Sequence, residues 1–548
     1  MPTTADLFVR CLEAEGVPCM LGVPGEENAD FMMSLEGSSI RMINTRHEQG
    51  AAFAAAAYGR LTGEPLAVLA TLGPGATNLL TGVADANMDH APVLAITGQG
   101  STDRLHKESH QIMDVVSMFE PVTKWATSIR SSKAVPETIR KAIRICRGGK
   151  PGAVLIELPE DTAGSEATGS PLKPNRYRRP VPDAQLIAEA CEVLANAKRP
   201  VVLAGNGVIR TRSSSQLRAF VDALGVPVTS TFMAKGVVSR RAEQCMFTIG
   251  IQQRDEIGCL LSGADVVLAI GYDLVEYPPA NWVGDNTAVI HIDVEPAEID
   301  GDYRPGIELI GDIGAAIDAM RTRLAEGGGV QAHPHAAGVR SAMLDEVREY
   351  ADDDTQGVIK PQKLLWDTRE ALGPSDVLLS GVGAHKMWIG RHYQCDEPNT
   401  CLIPNGFCSM GHALPGLIGA KLARPDDRCV AVCGDGDFLM NVQEMETIAR
   451  LKQDVTAIVW EDKSYGLIAW KQEAEFGKHV DLSFGNPEWV GLAESFGWRG
   501  ERVENSRDFG AALQRSLDHR GPSLLVAPVD YRENMRLTER LGETTCRI

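Results

Sequence analysis

RCVAVCGDGDF (428–438) is an apolar run that stops on Gly434-Asp435-Gly436, and a second run, DVTAIVWED (454–462), stops on Asp462, 27 positions after Asp435. Short apolar runs bounded in this way fit strands buried on both faces of a parallel sheet. In such a sheet the carboxyl ends of the strands share one edge, so Asp435 and Asp462 can meet there and bind a hard divalent cation through oxygen. Glycines on either side of Asp435 let a pyrophosphate approach the backbone, where the cation would join phosphate to carboxylate. By itself the triplet also fits an ordinary strand-end turn. It is not an EF-hand loop, because the full D-x-D-x-D-G series is absent.

The same alternation of buried run and helix-like segment extends outward in both directions. SDVLLSGVG (375–383) and PSLLVAPVD (522–530) belong to the same block. RPVVLAGNG (199–207), ADVVLAIGYD (264–273) and TAVIHIDVEP (287–296) form a second block, and PLAVLATLGPG (65–75), APVLAITGQ (91–99) and GAVLIELPED (152–161) a third. Two punctuated segments, GSEATGSPLKPNRYRRPVPD (164–183) and AEGGGVQAHPHAAG (325–338), read as linkers. The fold class is therefore α/β, with three doubly wound parallel-sheet domains in series. Their expected spans are 1–165, 185–328 and 358–532, followed by a tail over 533–548.

Composition narrows the function. The 548 residues carry 54 Lys+Arg against 73 Asp+Glu, a formal charge of −19. Phosphate backbones need a basic face, and no run of five or more basic residues exists, so nucleic acid and anionic membranes are excluded as partners. No apolar stretch reaches the roughly 18–20 residues of a spanning helix. Asp6, Arg10, Glu13 and Glu15 interrupt the region where a signal peptide needs apolar residues, which points to the cytoplasm. Twelve scattered cysteines without a C-x-x-C pair read as reduced core thiols.

Followed by NVQEMETIARL and closed by the Trp460-Glu461-Asp462 segment, the Gly434-Asp435-Gly436 stretch resembles the thiamine-diphosphate enzymes, whose signature is this triplet and an Asn or Asp metal ligand about 25–30 residues on. RHEQGAAFAAAAYGR (46–60) and GPGATN (73–78) are similar to that family's N-terminal motifs, and Glu48 matches its activating glutamate. Alone, a glutamate opening a helix also serves as a first-turn carboxylate. KESHQIMD (107–114), ADVVLAIGYDLVEY (264–277), LIGDI (309–313), GVGAHKMWIGRHY (381–393), GHALPGLIG (411–419) and VDYREN (529–534) resemble the acetolactate synthase family, in particular its flavin-free catabolic type. Where flavin-dependent members carry an Asp-Asp-Arg-type segment this chain has Tyr272-Asp273-Leu274-Val275-Glu276-Tyr277, which disfavours FAD. Gly205-Asn206-Gly207 lacks the third glycine of a dinucleotide fingerprint.

The resemblance implies a pyrimidine-binding first domain, a middle domain and a diphosphate-binding third domain, with thiamine diphosphate and Mg²⁺ as cofactors. The metal would be held by Asp435, Asp462 and the carbonyl of Ser464. Gly25, Gly73, Asn78, His385, Cys408, Met410, Gly434, Gly436 and Asp437 would line the cofactor, Met410 as the apolar wedge and Cys408 through its carbonyl. Glu48 would act on the aminopyrimidine, and His110, Gln111 and Lys471 would contact the reacting 2-keto acids. The two halves of the site would come from different subunits, so the smallest active unit would be a homodimer, within a homotetramer. The activity implied is decarboxylation of pyruvate and carboligation to a second 2-keto acid, giving 2-acetolactate. Another thiamine-diphosphate decarboxylase or carboligase with a different acceptor, or a binding protein of the same fold without catalysis, are the alternatives. Glu26, Glu27, Asp437 and Lys471 depart from the family pattern and put the acceptor, rather than the reaction class, in question.

Overall fold

The computed structural model describes residues 2–175, 178–250, 255–542 and 546. It contains three six-stranded, wholly parallel sheets. The N-terminal sheet comprises β1 (Cys19–Gly22), β2 (Arg41–Asn44), β3 (Leu66–Ala70), β4 (Val93–Gln99), β5 (Trp125–Ser128) and β6 (Ala153–Pro159), in the order β2-β1-β3-β4-β6-β5. The central sheet comprises β7 (Pro200–Ala204), β8 (Val228–Ser230), β9 (Cys245–Thr248), β10 (Val266–Ile270), β11 (Ala288–Asp293) and β12 (Ile307–Ile310), ordered β12-β11-β10-β7-β8-β9. The C-terminal sheet comprises β13 (Val377–Ser380), β14 (Cys401–Leu402), β15 (Cys429–Gly434), β16 (Thr456–Glu461), β17 (Arg499–Arg502) and β18 (Ser523–Pro528), ordered β14-β13-β15-β16-β18-β17. In each sheet the inner strands are buried along their length, because helices cover both faces; this is why they read as unbroken apolar runs.

Seven helices flank the candidate site or the junction of the central and C-terminal domains: α1 (Glu48–Thr62), α2 (Pro74–Met88), α3 (Ala336–Arg348), α4 (Pro361–Ala371), α5 (Ala384–His392), α6 (Ala413–Ala423) and α7 (Gly466–Phe476). In α1, the His47 Nδ1 caps the amide of Gln49 at 3.1 Å, and Gly63 ends the helix in the left-handed region at φ 74°. Its Ala-rich sequence is buried on almost every side, since the N-terminal sheet and α2 lie on one flank and α6 on the other. One apolar core runs through this contact, joining Ala51, Ala55 and Val68 to Leu417, Ala431 and Val459, whereas the central domain has a core of its own. The helices approach to backbone distance: a Cβ on Gly419 of α6 would overlap the carbonyl oxygen of Ala54.

The cysteines depart from expectation. Cys259 and Cys546 form a disulfide across 287 residues, while ten others are free. Neither partner belongs to a local spacing motif, so the pairing exists only in the folded chain. Among the described residues no helix is long and apolar enough to cross a membrane.

Gly419→Ala should force α1 and α6 apart and cost about 1–3 kcal/mol, the usual penalty of overpacking; a lowered denaturant midpoint with intact secondary structure is the expected result.

Candidate active site

β15 and β16 are paired in register, Gly434 beside Trp460, so the residues after them leave the sheet side by side. Asp435 opens the short helix Asp435–Leu439; its Oδ1 accepts from Gly436 N at 2.8 Å and its Oδ2 from Lys463 N at 2.7 Å and Asn486 Nδ2 at 2.8 Å. Asp462 faces it. Burial, followed by the charge of Asp435, pushes the Asp462 carboxyl up to about 8. Asn486 Oδ1 is buried without a hydrogen-bond partner. Two adjoining carboxylates with an orphaned amide oxygen beside them form an all-oxygen set of the kind that suits Mg²⁺. Among the described residues no cluster of three His, Cys, Asp or Glu side chains could hold a metal, so further oxygens must come from backbone or amide groups, such as Ser464 and Asn486.

Next to this pair, β13 runs into Gly381-Val382-Gly383 and α5. His385, in the first turn of α5, is buried and has no partner for Nε2, and burial pulls its ring down to about 3, so the imidazole is neutral. A Cβ on Gly434 would come within 3.2 Å of that ring, and one on Gly436 within 3.1 Å of Phe484, so both glycines keep the cradle open. Asp437 is buried; its Oδ1 accepts from Val382 N at 3.1 Å and Gly411 N at 2.8 Å, and its Oδ2 is unpartnered. The residue that departs from the family pattern therefore pins together the two loops that flank the cradle. Burial raises its carboxyl to about 6.

The loop 404–411 carries Cys408 and Met410. Cys408 sits in the left-handed region at φ 57°, with the Lys386 Nζ 2.8 Å from its sulfur and its thiol directed at Asn405 O. The backbone is tied to α2 and the residue after it: Ser409 N donates to Asp85 Oδ1 at 3.0 Å, and Asn405 N and Gly406 N donate to Asp89 Oδ1 at 3.1 and 2.7 Å. Burial, then the charge of Asp89, pushes the Asp85 carboxyl up to about 8. Met410 is half-buried within this frame.

At the N-terminal sheet, Glu48 is buried and its Oε2 accepts from Asn78 Nδ2 at 3.1 Å. A Cβ on Gly75 would lie 3.2 Å from Oε1. The amides of Arg46 and His47, just ahead of Glu48, both donate to Glu444 Oε1, at 3.1 and 3.0 Å. Gly25 packs on Thr71 with no room for a Cβ, and Gly73 adopts φ 50° with Gln111 O 2.7 Å from where its Cβ would be. The strand ends after β1, β2 and β3 thus gather Gly25, Glu48, Gly73 and Asn78. Gln111 meets them through its backbone, at φ 59°, while its side chain and that of His110 are exposed. Glu27 Oε2 is taken by Thr71 Oγ1 at 3.0 Å and Glu26 is exposed. Lys471 is exposed on α7, a helix with no buried residue. Among the described residues, the hydrogen bonds and ion pair of Glu48 involve Asn78 and His47 and do not reach Asp435, Asp462 or Ser464.

Glu444, Asp85, Asp89, Lys386 and Asn486 were not singled out from sequence. Each acts on a different loop or domain, and only Glu444, within NVQEMETIARL, and Lys386, within GVGAHKMWIGRHY, lie in stretches that carried a signal.

Three family models match the chain: "Thiamine pyrophosphate enzyme, N-terminal TPP binding domain" over residues 2–118, the "central domain" over 187–320 and the "C-terminal TPP binding domain" over 381–527. The chain is 35% identical to the acetolactate synthase of Bacillus subtilis (strain 168), over 97% of this chain and 94% of that protein. It is 34% identical to the catabolic acetolactate synthase of Raoultella terrigena, over 98% and 97% respectively. It is 31% identical to the chloroplastic acetolactate synthase 2 of Nicotiana tabacum, over 97% of this chain and 82% of that protein.

Asp85 generates a pH prediction. Its folded value, about 8, lies above that of an unfolded carboxyl, so the folded chain holds a proton that the unfolded chain has released, and stability falls as pH rises through that window. Asp85→Asn keeps an acceptor for Ser409 N and removes the ionisation. Its melting temperature should decline less than the parent's between about pH 5 and about pH 8, measured in one buffer series.

Proposed function

Because the chain belongs to the acetolactate synthase family of thiamine-diphosphate enzymes, we propose that it decarboxylates pyruvate and joins the two-carbon fragment to a second 2-keto acid, giving 2-acetolactate. The observation that carries this reading is the match of all three domains to relatives of that activity over nearly the full chain, together with the Asp435–Asp462 pair and the buried Glu48–Asn78 pair.

Asp435, Asp462 and the Ser464 carbonyl would hold Mg²⁺, with Asn486 as a further oxygen donor beside them. Gly434, Gly436, His385 and Asp437 would frame the diphosphate, and Cys408 and Met410 the pyrimidine. When bound, thiamine diphosphate supplies the electron sink that a 2-keto acid needs to lose CO₂. Glu48 Oε2 is engaged by Asn78, which leaves Oε1 to share a proton with the cofactor's ring nitrogen. Asn78 fixes the carboxyl orientation, and Glu444, by holding the amides of Arg46 and His47, fixes where α1 begins. Gln111, His110 and Lys471 are the proposed polar contacts for the second keto acid, each exposed and free to meet it.

Glu48 and the metal pair make no shared contact within one chain, and Phe407 and Met440, 45% and 43% exposed, lie on or beside the cofactor loop. Both observations support a homodimer as the active unit, with each site drawn from two subunits, and a homotetramer as the full assembly. Flavin independence is supported by the central domain: Glu276 is buried beside Gly205 and accepts from Asn206 N at 2.9 and 3.1 Å, where a nucleotide phosphate would otherwise be received.

With pyruvate, Mg²⁺ and thiamine diphosphate the protein should release acetolactate and CO₂ at full rate without added flavin; acetaldehyde in place of acetolactate would overturn the carboligation. Glu48→Gln should retain cofactor binding and lower kcat by about a hundredfold or more, the ordinary weight of a proton-transfer group.

A further inference from the structure

Away from the candidate active site, a cavity of about 480 Å³ opens between the central and C-terminal domains. Its walls come from the loop before β9, from β9 itself, from α3 and α4, and from the end of α5. In a chain with a formal charge of −19, five arginines and a single carboxylate line this cavity, which marks it as a receiver of anions. Arg240 and Arg241 lie on one side of the mouth and share Asp396, at 3.3 and 3.2 Å. On α3, Arg348 is exposed and makes no ion pair among the described residues.

The interior differs in character from the mouth. Phe247, Leu344, Val347 and Trp366 provide apolar and aromatic wall. Between them, three deeply buried side chains carry polar atoms without a hydrogen-bond partner. Arg369, 4% exposed, spends its two terminal nitrogens on Tyr393 and on the carbonyls of Leu372 and Gly373, and its Nε is left over. His392, 5% exposed, faces Glu346 with Nε2 at 3.6 Å and keeps Nδ1 unpartnered. Gln362, 7% exposed, donates from Nε2 to Glu533 and keeps Oε1. A buried polar atom without a partner is costly, and the three side chains that carry one here all line this cavity, where a small shift would turn each towards a ligand with matching donor and acceptor edges.

We propose that this cleft binds a phosphorylated heteroaromatic molecule of the nucleotide class, its ring system among Phe247, Trp366 and the buried Arg369, His392 and Gln362, and its oxyanions on the arginines at the mouth. Aromatic walls suit a planar ring, and guanidinium groups suit phosphate geometry. The cleft is separate from the candidate cofactor cradle: His385 and His392 stand at opposite ends of α5, about 10 Å apart along its axis.

Calorimetric titration of the holoenzyme, saturated with thiamine diphosphate and Mg²⁺, with ADP, adenosine and pyrophosphate separately tests this. One ADP per chain should bind, at least roughly tenfold tighter than either fragment. Arg348→Glu, on an exposed and unpaired side chain, should weaken ADP by about tenfold or more while pyruvate turnover stays unchanged, and Trp366→Leu should weaken both ADP and adenosine. Absence of saturable ADP binding, pyrophosphate binding as tight as ADP, or ADP affinity unaltered by Arg348→Glu would each overturn the proposal.

Discussion

The close approach of α1 to α6 is the contact on which the rest of the architecture depends. Glycine at 419 and alanines along α1 remove the side-chain volume that keeps ordinary helices 8–10 Å apart, so that the N- and C-terminal sheets share one apolar core. That packing has a functional consequence because the two helices sit directly behind functional groups. Glu48 is the first residue of α1, and the loop bearing Cys408 and Met410 leads into α6. A displacement at Gly419 would therefore reach both.

Buried carboxylates then lock this arrangement at its edges. Glu444 collects the two amides in front of Glu48, Asp89 collects two amides of the 404–411 loop, Asp85 collects a third, and Asp437 ties that loop to the turn after β13. A carboxyl oxygen that accepts backbone N–H groups spares loops the cost of orphaned donors, and where the group is ionised the bonds are charge-assisted. The same burial raises the carboxyls of Asp85, Asp437 and Glu444. The acidic excess of this chain is thus not only a matter of its outer surface; part of it is spent inside, as acceptors for irregular backbone.

Much of the fold was legible because its cause is local. Runs such as CVAVC (429–433) and AIVW (457–460) are buried on both faces, and a doubly covered strand leaves that mark in its own residues. Asp435 with Asp462 was legible as a pair because strand ends in a parallel sheet converge, whereas the bond between Glu48 and Asn78 appears only in the folded chain. Asn486, Asp85 and Asp89 were not legible, since an amide or carboxylate that captures backbone from another part of the fold has no spacing to betray it. Cys259 and Cys546 were hidden for the same reason. Asp437 was legible only as a departure from the family pattern; its bonds to Val382 N and Gly411 N make it a clasp between two loops. The side chains of His110, Gln111 and Lys471 are exposed and make no hydrogen bond or ion pair among the described residues.

The central domain contributes through position rather than through a ligand at its Gly205–Gly207 turn. Glu276 occupies the Asn206 amide with both oxygens and also receives Asp273 N at 3.2 Å, so an incoming phosphate would have to expel a carboxylate already supplied with donors. The adjacent Asp273 is shared between Arg210 of the same domain and Lys150 of the N-terminal domain, at 2.5 and 2.6 Å, which fastens the two domains at that point. The carbonyls of Val275 and Glu276 accept from Asn405 Nδ2, while Asn405 N is held by Asp89 and Lys386 Nζ donates to Asn405 Oδ1. All three domains therefore meet on one asparagine, three residues before Cys408. The segment that closes off the Gly205–Gly207 turn, Val275 and Glu276, thus supports the 404–411 loop. Removing the Asn405 side-chain amide would loosen Cys408 and Met410 at this end of the loop, while Asp437, two residues after Asp435, holds its other end at Gly411 N.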